Sequence, residues 1–117
     1  MAYVLAIVKD LFFAVKVADG AKRAGRAVRS VNSVDQALAV ATAERPALLV
    51  ADLNCEGVDL LDLARRWKAD ETLSAVPLLG FVPHVQEDRK RAALQAGFDR
   101  VVARSTFSDR TAELLGV

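Results

Sequence analysis

Five short apolar runs recur along this chain, each followed by a segment with helical spacing, and that alternation leaves few folds open. Val4 to Val8 reads as a buried strand. Leu11 to Ala24 reads as a helix, with Asp10 as N-cap and Gly25 just past its end. Ala27 to Val31 is a second, weaker strand. Ser33-Val34-Asp35-Gln36 forms a capping box that opens a helix through Glu44, and Pro46 prevents its continuation. Leu48 to Ala51 is the third strand. Val58 to Ala69 follows as a helix with Leu60, Ala64 and Trp67 at core spacing. Pro77 to Val82 is the fourth strand, Gln86 to Ala96 a helix stopped by Gly97, and Val101 to Ala103 the fifth strand. Ser108 is placed to cap a last short helix ending near Leu115.

Strands separated by helices of about 10–15 residues imply a parallel sheet with right-handed crossovers. With five such units and no Gly-rich first loop, the expected fold is α/β and flavodoxin-like: a (βα)5 three-layer sandwich with a five-stranded parallel sheet of order 2-1-3-4-5. At 117 residues there is room for one core, so residues 1–117 are expected to form one domain. Hydrophobic residues make up 53%, too many for a disordered chain.

The third strand ends on a carboxylate. Ala47-Leu48-Leu49-Val50-Ala51-Asp52 is followed by the polar turn Leu53-Asn54-Cys55-Glu56-Gly57. In open α/β sheets, ligands bind outside the carboxyl ends of the strands, which makes Asp52 the first candidate functional residue. The other strands bring Lys9 and Asp10, Val82 and Pro83, and Arg104 and Ser105 to the same rim.

On these residues the chain resembles the receiver domains of bacterial response regulators, the CheY-like domains, over almost its whole length. The likeness is carried by Asp52-Leu53-Asn54-Cys55-Glu56-Gly57-Val58-Asp59 and by Ala92-Ala93-Leu94-Gln95-Ala96-Gly97-Phe98-Asp99. The resemblance implies that Asp52 stands at the phospho-acceptor position, where the family's carboxylate attacks a phosphoryl donor. It also implies a pocket formed by Lys9, Asp10, Asn54, Val82 and Arg104. The family holds Mg²⁺ with two acids after the first strand; only Asp10 is present here, and the other position is Lys9. The family's Thr or Ser after the fourth strand falls on Val82. Its Lys after the fifth falls on Arg104, and the following Pro on Ser105.

These departures matter physically. Mg²⁺ takes oxygen ligands in octahedral geometry, and an ammonium beside its site repels it. Val82 has no hydroxyl to bond a phosphoryl oxygen, a loss of about 1.5–3 kcal/mol. Arg104 keeps the charge but is a planar fork, which reaches less easily than lysine into a small pocket. Lys9 is expected to pair with Asp52 where the metal would sit, which is the logic of a degenerate, or pseudo-, receiver. The expectation is therefore a stand-alone, non-enzymatic protein–protein interaction module, with no cofactor and no metal site; Asp10 and Asp52 are the only weak candidate ligands. One alternative is a phosphorylatable single-domain regulator using Asp52 with Mg²⁺. Another is a small-molecule binder on a flavodoxin-like fold. Against the latter, the sequence has no Gly-x-Gly-x-x-Gly motif, no Walker loop and no nucleophile–His pair.

The remaining residues bound partners and compartment. Lys and Arg number 16 against 15 Asp and Glu, which argues against a nucleic-acid partner. Arg89-Lys90-Arg91 reads as a solvated helix face. Cys55 is the only cysteine, which fits a reducing compartment and a small packed thiol. No apolar run of about 18 residues exists and no signal peptide is evident, so no membrane association and a cytoplasmic location are expected. His84, the single histidine, reads as a solvated loop residue. On the first helix, Ala14, Val17, Ala18, Ala21 and Ala24 define the expected core stripe. Phe13 lies near it, whereas Phe12 and Val15 point away. Phe12 and Val15 are therefore candidates for contact with a protein partner or a second copy, with Phe12 alternatively covering the Asp52 pocket.

Overall fold

The computed structural model describes residues 3–83 and 87–116. Five strands, β1 (Tyr3–Ile7), β2 (Ala27–Ser30), β3 (Leu48–Asp52), β4 (Leu78–Val82) and β5 (Arg100–Ala103), form one sheet. The helices are α1 (Leu11–Arg23), α2 (Val34–Ala43), α3 (Leu60–Ala69), α4 (Glu87–Ala96), α5 (Arg104–Asp109) and α6 (Thr111–Leu115). Every strand pair is parallel and the order is β2-β1-β3-β4-β5, as the alternation implies. His84 and the expected helix start at Gln86 lie outside the described residues.

Local chemistry sets the element ends. The Asp10 carboxylate accepts from the Phe12 and Phe13 amides and starts α1. Ser33 accepts from the Gln36 amide, and the Gln36 side chain reaches back to the Asn32 amide. The third helix starts two residues later than its apolar pattern suggests, because Asp59 caps it by accepting from the Asp62 amide. At the C-terminal end the expectation fails. Ser108 is not an N-cap but lies in the last turn of α5, which starts directly at Arg104. The chain breaks at Arg110 and resumes as α6, and the Thr111 hydroxyl donates to the Phe107 and Ser108 carbonyls across the break.

The sheet is buried on both faces, and period-two alternation divides its side chains between two cores. Leu5, Ile7, Leu49, Ala51, Leu78 and Val82 pack with α2, α3 and α4 around Trp67, whose indole donates to the Val76 carbonyl at 3.1 Å. Val4, Ala6, Leu48, Val50, Leu79 and Phe81 pack with α1, α5 and α6. On α1 the buried stripe is Phe13, Val17, Gly20 and Ala21, with Ala18 exposed. Phe13 therefore belongs to the stripe, and a glycine replaces Ala18 in it. The reason is α6: a Cβ built on Gly20 would lie 2.3 Å from Thr111 Cγ2.

The Ala-Gly-Phe-Asp segment also has a packing logic. Gly97 has φ +133° and leaves no room for a side chain against Lys68 and the Ala64 carbonyl. Asp99 accepts from the Leu78 amide at 2.7 Å and pairs with Lys68 at 2.9 Å, joining α3, β4 and β5. Among the described residues no helix is long and apolar enough to cross a membrane.

Gly20→Ala is expected to force α6 off α1 and lower stability by about 1–3 kcal/mol, the usual cost of overpacking. Urea unfolding should show a lower midpoint with an unchanged slope.

Candidate functional site

Parity places the site. Asp52 follows Leu48 and Val50 along β3, so its side chain belongs to the α1–α5 side of the sheet at the carboxyl edge. It is a buried carboxylate, 4% exposed. Oδ1 accepts from the Asn54 amide at 3.0 Å, and the Asp52 carbonyl accepts from the Cys55 amide, so the acid also shapes its own turn.

The other oxygen meets Arg104. Nη2 donates to Asp52 Oδ2 at 2.7 Å, in a pair with far less access to water than the surface ion pairs of this chain. Arg104 reaches that far because it lies on an aromatic floor. Its guanidinium carbon is 4.6 Å from the Phe13 ring centroid and 5.9 Å from that of Phe81. Phe81 stacks in turn on Phe107 at 4.6 Å. A lysine has no plane to lay on those rings, whereas the planar fork stacks and bonds at once. The planar guanidinium, expected to enter a small pocket less easily than a lysine, is carried in by this stacking.

The expected Lys9–Asp52 pair is therefore corrected. Lys9 Nζ donates to the Glu56 carbonyl at 2.9 Å, tying the end of the first strand to the β3–α3 loop. Gly57, next in the chain, turns that loop at φ +79°. Asp10 is also diverted, because its Oδ1 is committed to the α1 cap. Val82 does not face Asp52: parity sends its side chain to the Trp67 side, fully buried. Asn54 contributes its backbone amide to Asp52. Its side-chain Oδ1 is shut off from solvent with no donor among the described residues. Cys55 packs in the turn, and burial pushes its thiol pKa up, opposed by the nearby Lys9 charge. Arg89 and Arg91 are exposed and Lys90 half-buried.

The donor set does not fit the Mg²⁺ that the resemblance implies. The described residues contain no group of three or more Asp, Glu, His or Cys able to hold a metal. Asp10 is turned into a helix cap, Asp52 is occupied by a guanidinium, and Lys9 brings an ammonium to the same rim.

Phe12 does not cover the pocket. It is 62% exposed, and Leu11 and Val15 beside it are exposed as well. Leu11, which opens the helix but was not among the expected contact residues, joins Phe12 and Val15 on this exposed face.

Removing one member of a buried pair strands the other, so Arg104→Met is expected to cost about 1–3 kcal/mol, discounted for its partial access to water. Adding Asp52→Asn should then cost less than the two single losses summed. Lys9→Met, at an exposed contact, should cost less than about 1 kcal/mol. Urea melts of the four variants check all three.

No family model matches the chain. It is 30% identical over 94 residues to the phosphate regulon transcriptional regulatory protein PhoB of Pseudomonas aeruginosa, a match covering 80% of this chain and 41% of that protein. The chain thus spans about two fifths of the curated relative's length. Among solved structures it is similar to a response regulator from Hahella chejuensis, with TM-score 0.87 and 16% identity over 98% of this chain and 92% of that one. It is also similar to the chemotaxis protein CheY4 of Vibrio cholerae, with TM-score 0.84 and 18% identity over 98% and 96%. The strand order, the acid at the end of β3 and the structural likenesses agree: the chain has the fold of response-regulator receiver domains, and over four fifths of its length it is similar in sequence to PhoB.

Proposed function

We propose that this chain is a receiver domain and a degenerate one: a non-enzymatic protein-interaction module in bacterial signalling that works without a phosphorylation cycle and without a metal. The observation that carries this reading is the Asp52–Arg104 pair at 2.7 Å. A carboxylate nucleophile needs a free oxygen facing its donor, and Mg²⁺ needs open carboxylates. Here one Asp52 oxygen holds a guanidinium and the other an amide of its own turn. Val82 supports the same reading, since it offers no hydroxyl and packs on the far face of the sheet.

Output then depends on a surface. The exposed Leu11, Phe12 and Val15 lie together on the first turns of α1, and Lys16 sits 5.5 Å from the Phe12 ring centroid. An apolar group of this kind, rimmed by charge, suits contact with a protein partner or a second copy of the chain. The near balance of charge favours a protein rather than a nucleic acid, and the lone thiol suits the cytoplasm.

One observation favours the alternative, a phosphorylatable receiver. Asp52 keeps its place at the carboxyl end of β3, and the Arg104 contact is a non-covalent one that a donor could displace. Intact-mass analysis after incubation with a small phosphodonor and Mg²⁺ separates the two readings. No phosphoryl-sized gain is expected on the wild type; a gain abolished by Asp52→Asn overturns the degenerate reading.

The surface is tested separately. Sedimentation of the wild type and Phe12→Ser over a range of concentrations is expected to show weaker self-association in the variant if the occupant is a second copy. Identical monomers would leave a heterologous protein as the occupant.

A further inference from the structure

A groove of about 360 Å³ opens between the β3–α3 loop and α4. It lies on the side of the sheet covered by α3 and α4, whereas the Asp52 carboxylate belongs to the side of α1 and α5. Its origin is local. Asp59 caps α3 by accepting from the Asp62 amide, so the helix begins only at Leu60 and the loop before it stays apart from α4. Across the groove α4 presents Ala92 and Ala93, too small to reach the loop. Leu53, Val58 and Leu61 form the opposite apolar wall. The volume falls within the range of about 300–1,000 Å³ usual for small-molecule sites.

The polar groups divide by element. Glu56 and Asp59 come from the loop, and Arg89 from the first turn of α4. All three are exposed, and among the described residues none is in an ion pair. Asn54 lines the loop side, and its Oδ1 is shut off from solvent with no donor among the described residues. A buried acceptor without a donor is a cost that a ligand N–H removes. A small turn about χ2, a broad torsion in asparagine, presents that oxygen to the groove. The loop is held from its other side, where Lys9 donates to the Glu56 carbonyl, so the groove exists before anything enters it.

We propose that this groove binds a free apolar α-amino acid. The ammonium sits at the loop, beside Asn54, Glu56 and Asp59; the carboxylate meets Arg89; the side chain lies between the two apolar walls. The charge pattern selects this class. Acceptors on the loop and a guanidinium on the helix call for opposite charges on one short molecule. An anion alone meets two acids, and a cation alone leaves Arg89 without a partner. The apolar walls exclude a polar side chain, which would bury groups with nothing to bond. The inference rests on neither a phosphorylation cycle nor its absence, because it uses no contact of the Asp52 carboxylate. A peptide N-terminus carries the same ammonium and side chain but no adjacent carboxylate, which is the difference the experiment uses.

Backbone amide chemical shifts of the isotope-labelled intact chain read the site directly. L-phenylalanine is expected to give saturable shifts confined to residues 53–61 and 89–93, with a Kd of about 1 mM, the scale a ligand of this size reaches. L-phenylalaninamide lacks the carboxylate and stands for a peptide N-terminus; phenylpropionate lacks the ammonium. Each is expected to bind at least about fivefold more weakly. Arg89→Ala is expected to weaken phenylalanine about fivefold and leave phenylalaninamide unchanged. Ala92→Leu fills the groove and is expected to abolish the shifts from all three probes. Arg89 is exposed, so its variant keeps the test if Ala92→Leu does not fold. No saturable shift at about tenfold the expected Kd overturns the proposal. So do equal affinities for the three probes, or shifts that persist in Ala92→Leu. Binding of phenylalaninamide as tight as that of phenylalanine gives the groove to peptide N-termini and overturns the free amino acid.

Discussion

A parallel sheet covered on both faces assigns each strand side chain to one of two cores, and the rest of this molecule follows from that constraint. Leu49 and Ala51 go to the Trp67 side, and Leu48 and Val50 to the Phe81 side. The rule continues one residue beyond the apolar run, so Asp52 emerges on the side of α1 and α5. That placement, rather than proximity in sequence, decides which cation it meets. Arg104 begins the helix on that side, and Phe13 and Phe81 provide its floor.

Two cations occupy the rim with different partners. Arg104 neutralises Asp52. Lys9 holds the β3–α3 loop through the Glu56 carbonyl. The two are not equivalent energetically. The Arg104 contact is sheltered, charge-assisted and stacked, whereas the Lys9 contact is exposed and competes with water. Residual conformational freedom at this edge therefore depends mainly on Arg104. The aromatic group beneath it, Phe13, Phe81 and Phe107, is both a core and the support of the site.

Close backbone approaches do the rest of the positioning. Gly20 admits Thr111 and seats α6 against α1. Gly80 leaves space for Leu53, which a Cβ would meet at 2.9 Å, and so lets the turn after Asp52 lie down over β4. Gly97 and Asp99 tie the turn between α4 and β5 to α3 and β4 through Lys68 and the Leu78 amide. None of these contacts covers Leu11, Phe12 and Val15, which stay exposed.

Strand and helix order, the caps at Asp10 and Ser33, and the placement of Asp52 at a strand end were legible in the sequence, because they depend on local periodicity and on hydrogen bonds within a few residues. That Phe12 and Val15 lie off the buried stripe of the first helix was legible too, since a helix buries only one stripe; that Phe12 faces solvent rather than the pocket was not. The partner of Asp52 was not. Lys9 and Arg104 are both cations at the same rim, and choosing between them requires the ring positions of Phe13 and Phe81, which come from different elements. The break at Arg110 and the glycine in the α1 stripe were hidden for the same reason: Gly20 and Thr111 are 91 residues apart and meet only when the C-terminal helices pack. Local hydrogen bonding and apolar spacing are properties of the chain, whereas the choice among equivalent charges belongs to the packing around them.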